Sequence, residues 1–400
     1  MRSVQAHRSL VRALIPQPTP VSVPLSKACG LVLAADVISP AALPGFDNSA
    51  MDGYAVRSSD LARAADEHPV SLSVFVDTPA GDTRLMTLAP RTAHRIMTGG
   101  LMPAGADAVV PRELIVQRAG FPHSGRVSFL RAVKAGANVR KRGSDIAEGA
   151  AALRSGTILQ GPQLALLAAL GFAEVMVVPR IRVLVISTGN ELVPSGIALA
   201  DGQIYDTNTL MFTAEITSAG AEVVETITLG DNSYHFRKVL DHKCGDVDLV
   251  LTTGGVSAGA YEVVRDALSE HDVSFSAVAM RPGKPQGIGR YRGTPIVCFP
   301  GNPLSALVSF EVFLRPALRA AMCYPASTRP TVVRRLAKDL QSPEGKREYR
   351  FGRCGAGLVT ADAAGSNRVA GAAMADGLIE ILEEQTLVPA GSLVRVWLRS

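Results

Sequence analysis

The chain opens on a short apolar stripe in which Val4, Leu10, Val11, Leu14 and Ile15 follow Ser3 and precede Pro16. This predicts an N-capped helix over Val4 to Ile15, stopped by proline. From Val21 to about Val133 the apolar stretches are brief (Val70 to Val76, Ala108 to Val110, Arg126 to Leu130) and separated by Gly, Pro and Asp, the pattern of a β-rich region. Gly161 to Leu170, with Pro162 near its start and Gly171 past its end, predicts the next helix. The texture changes at Arg182. RVLVIS is a largely apolar run, TLMFTAEITSAG an amphipathic helix closed by Gly220, and AEVVETITL the next strand, which together predict a βαβ unit. DLVLTTGG, a helix from Tyr261 to Ser269, PIVCFPGNP and a long helix from Pro303 to Met322 continue the alternation, so a parallel sheet covered on both faces is expected. Tyr324 to Arg335 reads as a linker, and the remainder to Ser400 as the short strands and turns of a small β-domain.

Composition narrows the function classes. The 400 residues suffice for two to three domains of about 150 residues, and 47% hydrophobic with 19% charged excludes disorder as the main state. A net charge of +5 and an aromatic set of one Trp, seven Tyr and twelve Phe offer neither a basic stripe nor a base-stacking array, so no nucleic-acid partner is expected and an anionic small molecule fits. Cys29, Cys244, Cys298, Cys323 and Cys354 form no CxxC pair and no zinc spacing, which points to a reducing cytoplasm. Arg2, His7, Arg8 and Arg12 break up any leader, and the most apolar stretch, Leu164 to Val178, is too short for a bilayer and contains Glu174; no membrane anchor is expected.

Ligands of open α/β sheets sit beyond the carboxyl ends of the strands. Three such ends are unusual: Ser187, Thr188, Gly189, Asn190, Glu191; Thr252, Thr253, Gly254, Gly255, Val256, Ser257; and Phe299, Pro300, Gly301, Asn302, Pro303. Paired glycines let backbone amides approach an oxyanion, and Asn302 with Pro303 makes a helix start with its partial positive charge. Each alone is equally an ordinary βα turn; three together favour a phosphate-like guest. Arg281 and Lys284 lie in a loop stiffened by Pro282 and Pro285 around Gly283, which would present two cations to an anion. FDNSAMDGY crowds Asp47, Asn48, Ser49, Asp52 and Gly53 into a turn, where Asp47 and Asn48 read as turn caps; RKRGSD, Arg140 to Asp145, reads as a solvated charge run. No Walker A sequence and no GxGxxG follows a strand. The residues by themselves give a phosphate pocket, carboxylates able to hold a divalent cation, and no nucleophile with its base.

As a set, FDNSAMDGYAV, IMTGG with PAGADAVVPRE, NVRKRGSDI, STGNEL, DGQIYDTN, TTGGVSAG, MRPGKP and FPGNPLSA resemble the molybdopterin molybdotransferase (MoeA) family, to which the gephyrin E domain belongs. The likeness runs in family order along essentially the whole chain. It implies a multidomain α/β plus β fold: an N-terminal region over 1–178 with a dimerising segment and a β-rich insertion at about 56–134, a doubly wound molybdopterin-binding α/β domain over 179–322, and a C-terminal β-domain over 323–400. It implies a cytoplasmic homodimer that takes adenylated molybdopterin and molybdate, releases AMP with the help of Mg2+, and works beside the upstream adenylyltransferase and acceptor molybdoenzymes. Carried over by motif, Asp52, Asp145, Asp231, Arg281 and Lys284 are the catalytic set. Thr98, Ser187, Thr188, Gly254, Gly255, Ser257, Pro282, Gly283, Pro300, Gly301, Asn302, Pro303 and Ser305 would hold the ligand, and Glu191 and Glu262 the metal. The chain departs from the family at Asn190, Ala260, Ala277, Phe351 and Ala370-Gly371; Ala260 stands in place of a carboxylate and Ala277 in place of a lysine. These departures motivate an alternative, a paralogue that binds molybdopterin or finished cofactor and delivers it without turnover.

Overall fold

A computed structural model describes residues 1–116, 125–257, 262–362 and 369–399. The chain divides into two compact units, one formed by 1–34, 156–160 and 175–400, the other by 35–155 and 161–174.

The first unit is built on a six-stranded sheet in the order Glu222–Leu229, Arg182–Thr188, Leu249–Thr253, Thr294–Phe299, Pro285–Tyr291, Asp272–Ala277. The first four strands run parallel, as the strand and helix alternation predicts. The last two are antiparallel, a hairpin edge that the apolar pattern did not reveal because Gly287, Gly289 and Arg290 interrupt it. Alternation along the central strands sends side chains to opposite faces. Val183, Val185, Leu251, Val297 and Phe299 meet Phe212, Ile216 and Phe310 on one side, while Leu184, Ile186, Val250 and Ile296 meet Phe236, Leu240 and Val264 on the other. Burial on both faces explains why these strands read as continuous apolar runs.

The helix Asn208–Ser218 ends where Gly220 takes φ +95°, and a Cβ there would overlap the Tyr324 hydroxyl. The expected single helix from Pro303 to Met322 is three segments: an α-helix over Pro303–Ser309, a π-helical turn over Phe310–Leu314, and an α-helix over Arg315–Ala321. Pro316 supplies no N–H to the carbonyl of Val312, and the helix widens just before it. That carbonyl instead accepts a hydrogen bond from Nε of Arg8 at 3.1 Å. Arg8 comes from the N-terminal helix Val4–Leu14, capped by Ser3, whose hydroxyl accepts from the Ala6 amide. Val4, His7 and Val11 form its buried stripe, and His7 sets its ring edge-on to Phe313 at 4.6 Å between centroids.

The C-terminal strands Arg347–Cys354, Leu358–Ala361, Thr331–Leu336, Leu393–Leu398 and Gly377–Ile381 pair in that order, and Gly377–Ile381 returns to pair with Arg347–Cys354, closing a barrel. Thr331–Leu336 overlaps the expected linker, with only Leu336 beyond it. Its alternation is hidden in the sequence by Arg334 and Arg335, whereas Leu336 is buried in the barrel core. Met280–Arg281 adds to the barrel edge beside Arg347 and Glu348.

The second unit holds a mixed sheet in the order Ala108–Pro111, Gly53–Val56, Thr92–Ile96, Val70–Thr78, Gly125–Phe129, Ile115–Val116, the β-rich region read from the sequence. Tyr54, Leu72, Val74, Val110 and Phe129 fill its core. The helix Gly161–Ala169 belongs to this unit.

Candidate functional site

The four parallel strands finish on one edge of the first unit, around a pocket of about 670 Å³. Its floor depends on glycine. Gly254 and Gly255 take φ +97° and +60°, and a Cβ on Gly254 would lie 2.5 Å from the Thr188 carbonyl oxygen. A Cβ on Gly301 would lie 3.3 Å from Cα of Gly254, so the two strand-end loops are in backbone contact. Asn302 caps the following helix by accepting the Ser305 amide at 3.2 Å, with Pro303 in its first turn. Ser187, Thr188, Gly254, Gly255, Ser257, Pro300, Gly301, Asn302, Pro303 and Ser305, expected to hold the ligand, all line this pocket.

Four carboxylates line it as well: Glu191, Asp206, Asp231 and Glu262. Asp231 and Asn190 clasp each other, the Asn190 amide donating to Oδ2 of Asp231 at 3.2 Å and the Asp231 amide to Oδ1 of Asn190 at 3.0 Å. An aspartate at 190 could accept the same amide but would set a second negative charge beside Asp231; the asparagine keeps the clasp neutral. Oε2 of Glu262 accepts the Ser257 amide at 2.8 Å. Asp206 accepts from the Ser187, Thr209 and Thr228 hydroxyls and from the Thr209 amide, so it acts as the anchor of the helix start. Among the described residues no three His, Cys, Asp or Glu side chains come together as a metal cage.

The residues 2–171 match the model of the MoeA N-terminal region (domain I and II), and 184–320 match that of the probable molybdopterin binding domain. A protein of Mycobacterium tuberculosis named molybdopterin molybdenumtransferase 2 is 47% identical over 99% of each chain. One from Haemophilus influenzae, molybdopterin molybdenumtransferase, is 37% identical over 80% of this chain and 77% of its own. The crystal structure of the molybdopterin biosynthesis MoeA protein from Pyrococcus horikosii superposes with a TM-score of 0.83 at 30% identity, over 99% of this chain and 98% of that one. The chain belongs to the molybdopterin molybdenumtransferase family. Its reading as a transferase stands with that membership, and nothing in these relatives favours the non-catalytic paralogue.

As a molybdenumtransferase-family chain it keeps some expected residues outside the pocket lining. Of the MRPGKP loop only Pro285 lines it; Arg281, Pro282, Gly283 and Lys284 do not. Nε of Arg281 sits 3.7 Å from the buried Glu348 carboxylate of the barrel, and Lys284 is exposed, its carbonyl accepting the Val278 amide. A Cβ on Gly283 would meet the Ser309 hydroxyl at 2.9 Å. Ala277 closes a strand against Pro285, and Phe351 is buried in the core. Ala260 lies outside the described residues. Asp52, Thr98 and Asp145 belong to the second unit, where Thr98 donates to Oδ1 of Asp52 from both its amide and its hydroxyl, each at 2.8 Å. The amide bond, then the hydroxyl, holds the Asp52 carboxyl below the usual carboxylate range. Asp145 is exposed. Asp47 is a turn partner, as read, taking Lys141 and the Arg142 amide at 2.7 Å each. The sequence reading missed Asp206 and Asn208 as site residues, and took Thr253 only as part of a strand end. The available signal was DTN at a helix start, an Asx and Thr pattern that normally marks a cap.

Proposed function

We propose that the protein inserts molybdenum from molybdate into adenylated molybdopterin with release of AMP. What carries this reading is a single pocket lined both by glycine backbone at 254, 255 and 301 and by the carboxylates of Glu191, Asp231 and Glu262. Cleaving a phosphoanhydride needs positioning and charge neutralisation more than a covalent nucleophile, and the chain offers parts for both. Gly255 and Gly301 permit close approach of phosphate oxygens, while the Gly254 amide is already donated to Phe299. Thr188, Ser257, Asn302 and Ser305 supply polar contacts around them. Arg281 and Lys284 are the cations proposed for phosphate or molybdate, and Asp52, Asp145 and Asp231 the catalytic carboxylates.

Mg2+ fits this donor set. It takes one or two carboxylates, completing its shell with substrate oxygens and water, and Glu191 and Glu262 would hold it beside Asp231. Bound there, it would neutralise phosphate charge. The same reading makes the protein a cytoplasmic homodimer that receives substrate from the upstream adenylyltransferase and serves acceptor molybdoenzymes; a strictly monomeric protein with full activity would contradict the dimer. Purified protein incubated with adenylated molybdopterin, molybdate and Mg2+ is expected to release AMP, and to stop when EDTA is added. A folded preparation that binds the substrate and releases no AMP would overturn the reading.

A further inference from the structure

We propose that Asn208 is a positioning residue whose amide nitrogen bolts the two glycine loops of the pocket together, and that the site requires its paired N–H donors and not merely its size. The effect on turnover rests on the function proposed above; the geometry does not. Asn208 begins the helix Asn208–Ser218 and is 7% exposed. Its Nδ2 donates to the Thr253 hydroxyl at 2.9 Å and to the Gly301 carbonyl at 2.7 Å. The Thr253 hydroxyl has one proton, which it donates to the Pro300 carbonyl at 3.0 Å, so toward Asn208 it can only accept. The Gly301 carbonyl can only accept as well. Both partners therefore demand a donor, and of the short side chains only the asparagine amide places two N–H groups at one atom.

The need for a polar bolt follows from the glycines. Gly254 and Gly301 meet backbone to backbone, and neither has a side chain with which to hold the other. Thr253 precedes Gly254 in one loop and Gly301 is the contact residue of the other, and Asn208 ties both to the helix start. The helix start is itself held by Asp206 through Ser187, Thr209 and Thr228. Among the described residues Oδ1 of Asn208 has no partner, so it is the nitrogen that makes the site's contacts.

The test uses the full-length protein with Asn208→Ala, Asn208→Asp and Thr253→Val. Removing both donors in Asn208→Ala is expected to raise KM for adenylated molybdopterin about tenfold, with a smaller fall in kcat. Thr253→Val, which takes away the acceptor of one Asn208 N–H and the donor to the Pro300 carbonyl while leaving the Gly301 bond, should show a smaller KM rise. In Asn208→Asp a buried carboxyl faces two acceptors, which raises its folded pKa above the unfolded value. Stability is then fullest at low pH, where the protonated carboxyl keeps one donor, and is lost as pH rises through the raised pKa. Asp206 is the charged neighbour on its own segment, and residues 252–255 and 299–302 carry no charged side chain. The Tm gap between Asn208→Asp and Asn208→Ala is thus expected to widen from about pH 5 to about pH 8, while the gap between the parent and Asn208→Ala stays flat. Identical pH profiles for the two variants, or an unchanged KM in both, would overturn the proposal. If the parent releases no AMP the function reading fails, and the Tm comparison still decides the role of Asn208.

Discussion

Gly301 shows what a single missing Cβ does for this site. A methyl group there would press to 3.3 Å on Cα of Gly254, and since both partners are backbone, one loop must shift by a few tenths of an ångström. Gly301→Ala is expected to leave global stability nearly intact, because the residue is exposed, and to weaken substrate binding about tenfold, roughly 1.4 kcal/mol. Isothermal titration with adenylated molybdopterin reads this, and unchanged affinity would show that the contact does not shape the pocket. At this scale the glycine and proline positions were legible in the sequence, since backbone freedom and rigidity are properties of the residue itself. Asn208 was not. Its partners lie 45 and 93 residues away, and locally an asparagine after Asp-Thr looks only like a cap.

Among the elements, the N-terminal helix and the π-helical turn depend on each other. Arg8 serves the Val312 carbonyl that Pro316 leaves without a donor, and His7 packs on Phe313 one residue on. Nδ1 of His7 faces Arg2 at 3.2 Å; arginine can only donate, so this nitrogen accepts and the ring is neutral. Burial, with the Arg2 charge added, pushes the His7 pKa down from 6.5 to about 4. A depressed folded pKa means that the stabilising neutral form is fully present above 6.5 and is lost as pH falls toward about 4, a loss of about 3 kcal/mol at most. His7→Leu should remove that part of the acid sensitivity, so urea midpoints for parent and variant should diverge between these two pH values in the parent's disfavour. Parallel curves would mean that His7 takes up its proton equally in the folded and unfolded states, with no depression of its pKa by burial. The helix itself was readable from Ser3, the apolar stripe and Pro16; the π turn was not, because a proline within a helix pattern signals a disturbance without saying which carbonyl is freed or what will satisfy it.

For the whole molecule, the first unit is fastened by a cluster of opposite charges gathered from distant segments. Arg329, just before the barrel's first strand, pairs with Glu311 at 2.7 Å and Glu215 at 3.2 Å, and Arg399, directly after the strand Leu393–Leu398, reaches Glu215 at 2.6 Å. The Glu311 side chain is only 4% exposed. Arg329→Ala would leave it with Arg315 at 3.9 Å, and is expected to destabilise the protein by about 3–5 kcal/mol, as for other buried pairs broken on one side. Urea denaturation measures this, and a loss under about 1 kcal/mol would show the cluster to be solvated. The sequence by itself determined the parallel strands, their flanking helices, the three strand-end loops and the family, because each is written in a contiguous stretch whose periodicity or residue types act locally. Only the tertiary structure decided that Thr331–Leu336 is a barrel strand, that Met280–Arg281 joins that barrel, and that Asp206 and Asn208 belong to the pocket. Strand pairing and side-chain hydrogen bonds between remote segments depend on which surfaces are brought together, and that is set by the packing of the whole core and not by any stretch that the sequence displays.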